Sequence, residues 1–384
     1  MKIALLPLLL YAFGSFGQTY NPFYANLADA CNQDTVNQNL VTFESFGEKQ
    51  VGSTELENTY DWLYNAYVNY GYTDIQEDQF FASGVSTKNL VVTKTGSVYP
   101  NTYVIIDAHY DTKNGPGAND NGTGTVILLE LARLLENVDT EYSIKFIHFS
   151  AEEDGLLGSL NYVNDDVITT NMDIRLVFNI DQVGGTAGMT NDIIVCERDE
   201  SPPAANNAAS AIATTELANC IEFYSALNTE FYFAYGSDYV PFMNNGEVVT
   251  GLYEKNESPY SHTSQDLIVN MDSDYLFQVT KGAMGALAHF VIALDEVSLS
   301  EFDKSAIKIY PTPSDGNLSI ETDRLVGQKA NITVFDISGK IIWNQSISSF
   351  SPKEQIQLNN LNAGSYLMAV ESEEQIYRRK IVLE

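Results

Sequence analysis

Basic residues and cysteine are scarce in this 384-residue chain: 20 Lys and Arg stand against 51 Asp and Glu, and there are three cysteines. The resulting net charge of −31 leaves no basic face for a phosphate backbone, so no nucleic-acid partner is expected. Cys31, Cys196 and Cys220 are not spaced as a metal knuckle, and none sits in a glycine-flanked elbow, which argues against thiolate metal binding and a thiol nucleophile. Beyond the first 18 residues no apolar run approaches the ~20 residues that span a bilayer, so no transmembrane segment is expected there. Internal repeats and low-complexity tracts are absent, and histidine occurs four times.

What is present first sets the compartment. Met1 to Gln18 carries Lys2, an apolar stretch from Ile3 to Phe13 interrupted by Pro7, and then Gly14, Ser15 and Gly17, the pattern of a secretory signal peptide cut near Gly17 or Gln18. In an exported protein three cysteines suggest one disulfide and one free thiol; of the three pairings, Cys196 with Cys220 is the one expected. The acidic charge is uneven. From Asp303 onward 10 acidic residues face 9 basic ones, whereas the first 302 residues hold 41 and 11, a shift that marks a domain boundary. The expected division is a signal peptide (1–18), a large domain (19–300) and a small one (301–384). The acidity of the large domain reads mainly as solubility outside the cell, since salt screens attraction of amines beyond ~10 Å.

Hydrophobic periodicity predicts a helix over Thr54 to Tyr70, stopped by Gly71, and further helices at Thr123–Leu135, Leu156–Val163, Ala204–Ala218 and Tyr275–Leu294. Short β-branched or aromatic runs at Asn89–Thr93, Thr102–Ala108, Ser143–Phe149, Arg175–Ile180 and Asp192–Cys196 read as strands, several apolar on both faces. Strands alternating with helices imply a layered α/β sheet. From about Ala306 seven short alternating strands follow, separated by turns such as Ser314-Asp315-Gly316 and Ser338-Gly339, and predict a small β-sandwich.

Chemistry-bearing residues cluster where these strands end. His109 and Asp111 close one strand, Glu152 and Glu153 follow another, and Asp181 follows a third; Asp120 sits in Gly117-Ala118-Asn119-Asp120-Asn121-Gly122 and His262 in a Tyr-Ser-His-Thr-Ser-Gln-Asp loop. Carboxyl ends of strands are where sites form in open α/β sheets. His109, Asp120, Glu153, Asp181 and His262 make a mixed nitrogen and oxygen set suited to two zinc ions. Asp120 is able to bridge two cations through its two oxygens, Asp111 is the natural partner for the far nitrogen of His109, and Glu152 remains as a base. Side chains of neighbours on extended chain diverge, so Glu153 can ligate while Glu152 faces substrate. His148 and His289, inside a strand and a helix, read as packing or surface residues.

These motifs resemble the secreted zinc aminopeptidase family of clan MH, which also contains the animal glutaminyl cyclases. The resemblance runs from about Val51 to Leu294 through His-Tyr-Asp, Gly-Ala-Asn-Asp-Asn, Glu-Glu-Asp-Gly-Leu-Leu-Gly-Ser, Asn-Ile-Asp and His-Thr-Ser-Gln-Asp. It implies a three-layer α/β/α fold with a central mixed sheet, and two zinc ions bridged by Asp120, one also held by His109 and Asp181 and the other by Glu153 and His262. It further implies a cis Asp120–Asn121 peptide, and a Glu152 that takes a proton from a metal-activated water and hands it to the departing amine of a peptide with a free N-terminus. Two departures bear on the pocket: the family's Ser-Asp-His reads Ser237-Asp238-Tyr239, and Gln182 follows Asp181 where an apolar residue is common. Tyr235, Tyr239, Phe242 and Tyr260 are candidate pocket walls.

The tail resembles the C-terminal sorting domain of type IX secretion, through Ile309 to Gly316, Val334 to Lys340 and Leu361 to Tyr366, with Thr312 in place of the usual Asn between two prolines. That implies a secreted or surface-attached protein handled by the type IX machinery. Competing readings are glutaminyl cyclisation on the same fold, a binding relative without catalysis, and a carboxypeptidase. The peptidase-like Asp154-to-Ser159 stretch and Asn121-Gly122 turn, the intact ligand set, and the lack of an arginine in the site loops weigh against them in turn.

Overall fold

The computed structural model describes residues 18–234, 236–295, 307–336, 340–358, 360–372 and 376–383. The expected signal peptide, apart from Gln18, and Tyr235 lie outside the described residues. The chain divides into two compact units, residues 1–295 and 296–384.

The first unit is built on eight strands: β1 (Asp74–Ala82), β2 (Val85–Lys94), β3 (Tyr99–His109), β4 (Tyr142–Phe149), β5 (Asp173–Ile180), β6 (Ile193–Arg198), β7 (Asn228–Phe233) and β8 (Val249–Glu254). They form one mixed sheet in the order β1-β2-β4-β3-β5-β8-β6-β7. Its centre, β4-β3-β5-β8, is parallel, while β2 joins β4 and β6 joins β8 antiparallel. Central strands are apolar on both sides because alternate residues enter different cores. Val104 and Ile106 pack with α1 (Pro22–Asp29), α2 (Gln33–Ser45), α3 (Thr54–Tyr70), α4 (Gly122–Leu135), α6 (Asn207–Tyr224) and α8 (Ser273–Phe290). Ile105, one residue between them, packs with α5 (Leu157–Tyr162) and α7 (Tyr239–Asn245) on the opposite face. Three layers follow from this period of two. Truncating Phe146, which is fully buried, would cost about 3–5 kcal/mol.

Helix α3 occupies the predicted span. Ser53 caps it by accepting from Leu56 N–H, and Gly71 ends it in the left-handed region at φ 107°. The expected disulfide does not form: Cys31, Cys196 and Cys220 are free and buried. Each behaves as an apolar core residue. Burial pushes the Cys31 and Cys220 thiols up to about 12, so they stay protonated, and Cys220 Sγ accepts from Gln18 Nε2 at 2.9 Å. Among the described residues no helix is long and apolar enough to cross a membrane.

Among its described residues the second unit has seven strands, β9 (Lys308–Tyr310), β10 (Asn317–Glu321), β11 (Ala330–Phe335), β12 (Ile341–Ile347), β13 (Lys353–Gln357), β14 (Gly364–Glu371) and β15 (Ile376–Leu383). Two sheets, β13-β10-β9 and β12-β11-β14-β15, share one core in which Leu318, Ile320 and Ile356 meet Ile332, Val334, Met368 and Ile381. This is a β-sandwich.

Candidate metal centre

The sheet order explains why the acids converge. Strand β3 lies between β4 and β5, with His109 registered on Phe149 and Asp107 on Asn179, so the three carboxyl ends are side by side. His109 ends β3, Glu152 and Glu153 follow β4, and Asp181 follows β5. Asp120 comes from the loop before α4, and its peptide bond to Asn121 is cis. Asn121 fixes that loop in two directions: its Oδ1 accepts from Gly124 N–H at 2.9 Å as the helix cap, and its Nδ2 donates to Ile180 O at 2.8 Å. A helix cap and a site anchor are therefore the same residue.

Potential ligand atoms form two groups, His109 with Glu152 and Asp181, and Asp120 with Glu153 and His262. Asp120 connects them. Its Oδ1 lies 3.3 Å from His109 Nε2 and its Oδ2 lies 3.1 Å from His262 Nε2. Asp181 Oδ1 is 3.5 Å from His109 Nε2, and Glu153 Oε2 is 3.0 Å from His262 Nε2. Donors arranged tetrahedrally at the ~2.0 Å bonds of zinc stand roughly 3.3 Å apart, and these spacings match. Asp120 Oδ2, Asp181 Oδ1 and Glu153 Oε1 are buried without a hydrogen-bond partner among the described residues, even though a ring nitrogen is within 3.1 Å of the first. Contacts this close without hydrogen-bond alignment indicate atoms aimed at a common third point, so the residues fit two metal ions. Glu152 Oε2 is 4.0 Å from His109 Nε2, farther than Asp120 Oδ1 at 3.3 Å.

Other residues hold these six in place. His109 Nδ1 lies 3.0 Å from the Asp111 main-chain oxygen and 3.7 Å from its carboxylate, so the expected orienting contact is made by the backbone. The Asp111 carboxylate instead accepts from the Glu152 and Glu153 amides at 3.1 and 3.2 Å, fixing where both acids point. Asp266 accepts from the Asn119 and Asp120 amides at 2.8 and 3.0 Å and so steadies the bridging residue from the His262 loop. Gly115 permits that loop to close in, since a Cβ there would stand 2.0 Å from Thr263 O. Ser237 Oγ donates to Asp181 Oδ2 at 2.7 Å. Asp238 beside it is fully buried, with both carboxylate oxygens unpartnered among the described residues.

The site is electrically acidic and mostly buried. Burial holds the Glu152 carboxyl well above the usual range; His109 opposes this, and Asp238, Asp181 and Asp111 add to it. Burial likewise lifts Glu153 to about 8, with Asp120 contributing, and Asp238 to about 7. Asp120 is the exception: burial would raise it, but the two imidazoles draw it down to about 2. His148 is a separate case, a buried neutral imidazole held down to about 3 by desolvation and 2.9 Å from Tyr67 OH.

Among the candidate pocket walls, Tyr239 and Phe242 are 1% and 0% exposed and belong to the core beneath the sheet, so they present no accessible surface. Tyr239 OH donates to Glu197 Oε2 at 2.9 Å and Phe242 packs on Phe149 and Tyr162. Tyr260 is half-buried beside the His262 loop. Three site residues escaped the reading of the chain: Ser237, Asp238 and Asp266. All three stand in motifs already noted, Ser237-Asp238-Tyr239 and the closing acid of His-Thr-Ser-Gln-Asp.

Residues 89–287 match the model of Peptidase family M28, and residues 308–384 match that of the Secretion system C-terminal sorting domain. Over 204 residues the chain is 32% identical to Aminopeptidase YwaD of Bacillus subtilis (strain 168), covering 52% of this chain and 43% of that protein. The chain thus spans about half or less of the length of the curated relatives it matches. In fold it is similar to the Legionella pneumophila LapA aminopeptidase (TM-score 0.61, 21% identity, 72% of this chain and 78% of that one). It is also similar in fold to the Bacteroides thetaiotaomicron glutaminyl cyclase (TM-score 0.56, 17% identity, 67% of this chain and 97% of that one).

Proposed function

The chain belongs to Peptidase family M28, and from that premise we propose that it is a secreted aminopeptidase with two zinc ions, releasing N-terminal residues from peptides. The observation that carries this reading is Asp120, whose two oxygens face two imidazole nitrogens at 3.3 and 3.1 Å while Glu152 stands apart at 4.0 Å. His109, Asp120 and Asp181 would hold one ion; Asp120, Glu153 and His262 the other. Bound zinc would supply Lewis acidity toward the scissile carbonyl and toward water.

The chain's own residues do the rest. Glu152, partly buried and fixed through its amide by Asp111, takes a proton at its carboxylate and delivers it to the departing amine. Six carboxyl groups, from Asp111, Asp120, Glu152, Glu153, Asp181 and Asp238, surround the site, which suits a substrate that brings an α-ammonium. The relatives' names support the same substrate: the matched Bacillus subtilis protein is an aminopeptidase. The C-terminal unit, matching a sorting domain, would deliver the enzyme through type IX secretion and take no part in turnover.

The deciding assay offers the mature protein a peptide such as Leu-Gly-Gly and a peptide with N-terminal glutamine. Release of free leucine is expected; ammonia from the glutamine peptide without amino-acid release would assign the chain to cyclisation instead.

A further inference from the structure

The two ends of the site are joined by a hydrogen bond that belongs to neither ligand set. Gln182, next to Asp181, and His262 both adopt the left-handed region, at φ 48° and 57°, which residues with a side chain seldom enter unless their surroundings hold them there. Gln182 is held by its backbone: its carbonyl accepts from Glu254 N–H at 2.9 Å, and its own N–H reaches Asn121 Oδ1 at 3.4 Å. From that fixed base its Oε1 accepts from Ser261 Oγ at 2.7 Å. Ser261 is the residue before His262. On the other side of the histidine, Asp266 ties the loop to the amides of Asn119 and Asp120. His262 itself is 48% exposed, so packing gives it little support and hydrogen bonds on either side of it must set its position. His109, by contrast, is 1% exposed and sits in the sheet.

We propose that Gln182 is a positioning residue for the metal group formed by Asp120, Glu153 and His262: through Ser261 it fixes the His262 backbone, and it leaves the His109 and Asp181 group unaffected. The inference rests on the dinuclear reading above. Loss of a partner outside the ligand set typically weakens metal affinity roughly 10–100-fold.

Metal-depleted full-length protein titrated calorimetrically with zinc tests it. Wild type should take up two equivalents. Gln182→Met should bind the first as wild type does and the second at least about 10-fold more weakly. Ser261→Ala, a change at a half-buried residue, should give the same loss; the double variant should lose no more than either single one, and Ser261→Thr, which keeps the hydroxyl, should restore binding. Gln182→Met titrating like wild type, or weakening both equivalents alike, or adding its effect to that of Ser261→Ala, would overturn the proposal while leaving two-zinc binding intact. Fewer than two equivalents in wild type would overturn both.

Discussion

The two halves of the proposed metal centre are made by different means. His109 and Asp181 terminate neighbouring parallel strands, and their side chains are 1% and 6% exposed. Sheet register and two buried cores fix them before any ion arrives. His262 lies on a loop and is 48% exposed, while its partner Glu153 depends on an amide clamped by Asp111. The first half is therefore rigid scaffold, and the second is an arrangement of hydrogen bonds between loops. A metal pair built in this way should load and lose its ions unequally, because disturbing a loop costs less than disturbing a central strand.

Asp120 belongs to both halves, and its substitution should have the largest effect. Asp120→Asn removes the charge and one anionic oxygen from each group, so both zinc equivalents and all turnover should be lost; metal analysis showing one ion firmly retained would mean that the bridge is not shared. The next comparison separates the halves. His262→Ala should lose one equivalent and keep the other, by more than the roughly 10–100-fold that an outer partner costs. His109→Ala should weaken the buried group that the sheet holds in place. Equal zinc loss from the two histidine variants would erase the contrast drawn here. The smallest effect is expected from the tail. Removing residues 296–384 should leave zinc content and kcat/KM unchanged in the purified enzyme, since these residues form a separate unit with its own core; a large loss of activity would give the sandwich a part in catalysis.

The same contrast describes what could be read from the chain. Residues at strand ends were legible, because a two-sided apolar run identifies a central strand and the acid after it has one place to go. That brought His109, Glu152, Glu153 and Asp181 together correctly as a neighbourhood. Helix α3 kept its predicted limits, since Ser53 and Gly71 punctuate it locally. Strand β1 was not legible: Asp74 to Ala82 sits at the sheet edge, mostly exposed, and so carries no apolar alternation. Strand β7, on the other edge, was missed for the same reason. Contacts between distant segments also left no local trace. That is why Asp111 was expected to orient His109 through its carboxylate, which in fact holds the Glu152 and Glu153 amides, and why Asp266 and Asp238 were passed over. The disulfide expectation failed because a cysteine count carries no geometry, and all three thiols serve as core residues.

The central claim is a division of labour between adjacent acids, Glu153 holding metal and Glu152 moving protons. Zinc counting on Glu152→Gln, paired with its rate of leucine release, tests it most directly. Two zinc ions retained, with kcat lowered by roughly 10²–10⁴-fold, is the predicted result. Loss of a zinc ion in this variant would contradict it, because Glu152 would then be a ligand of the His109 and Asp181 group and not the base.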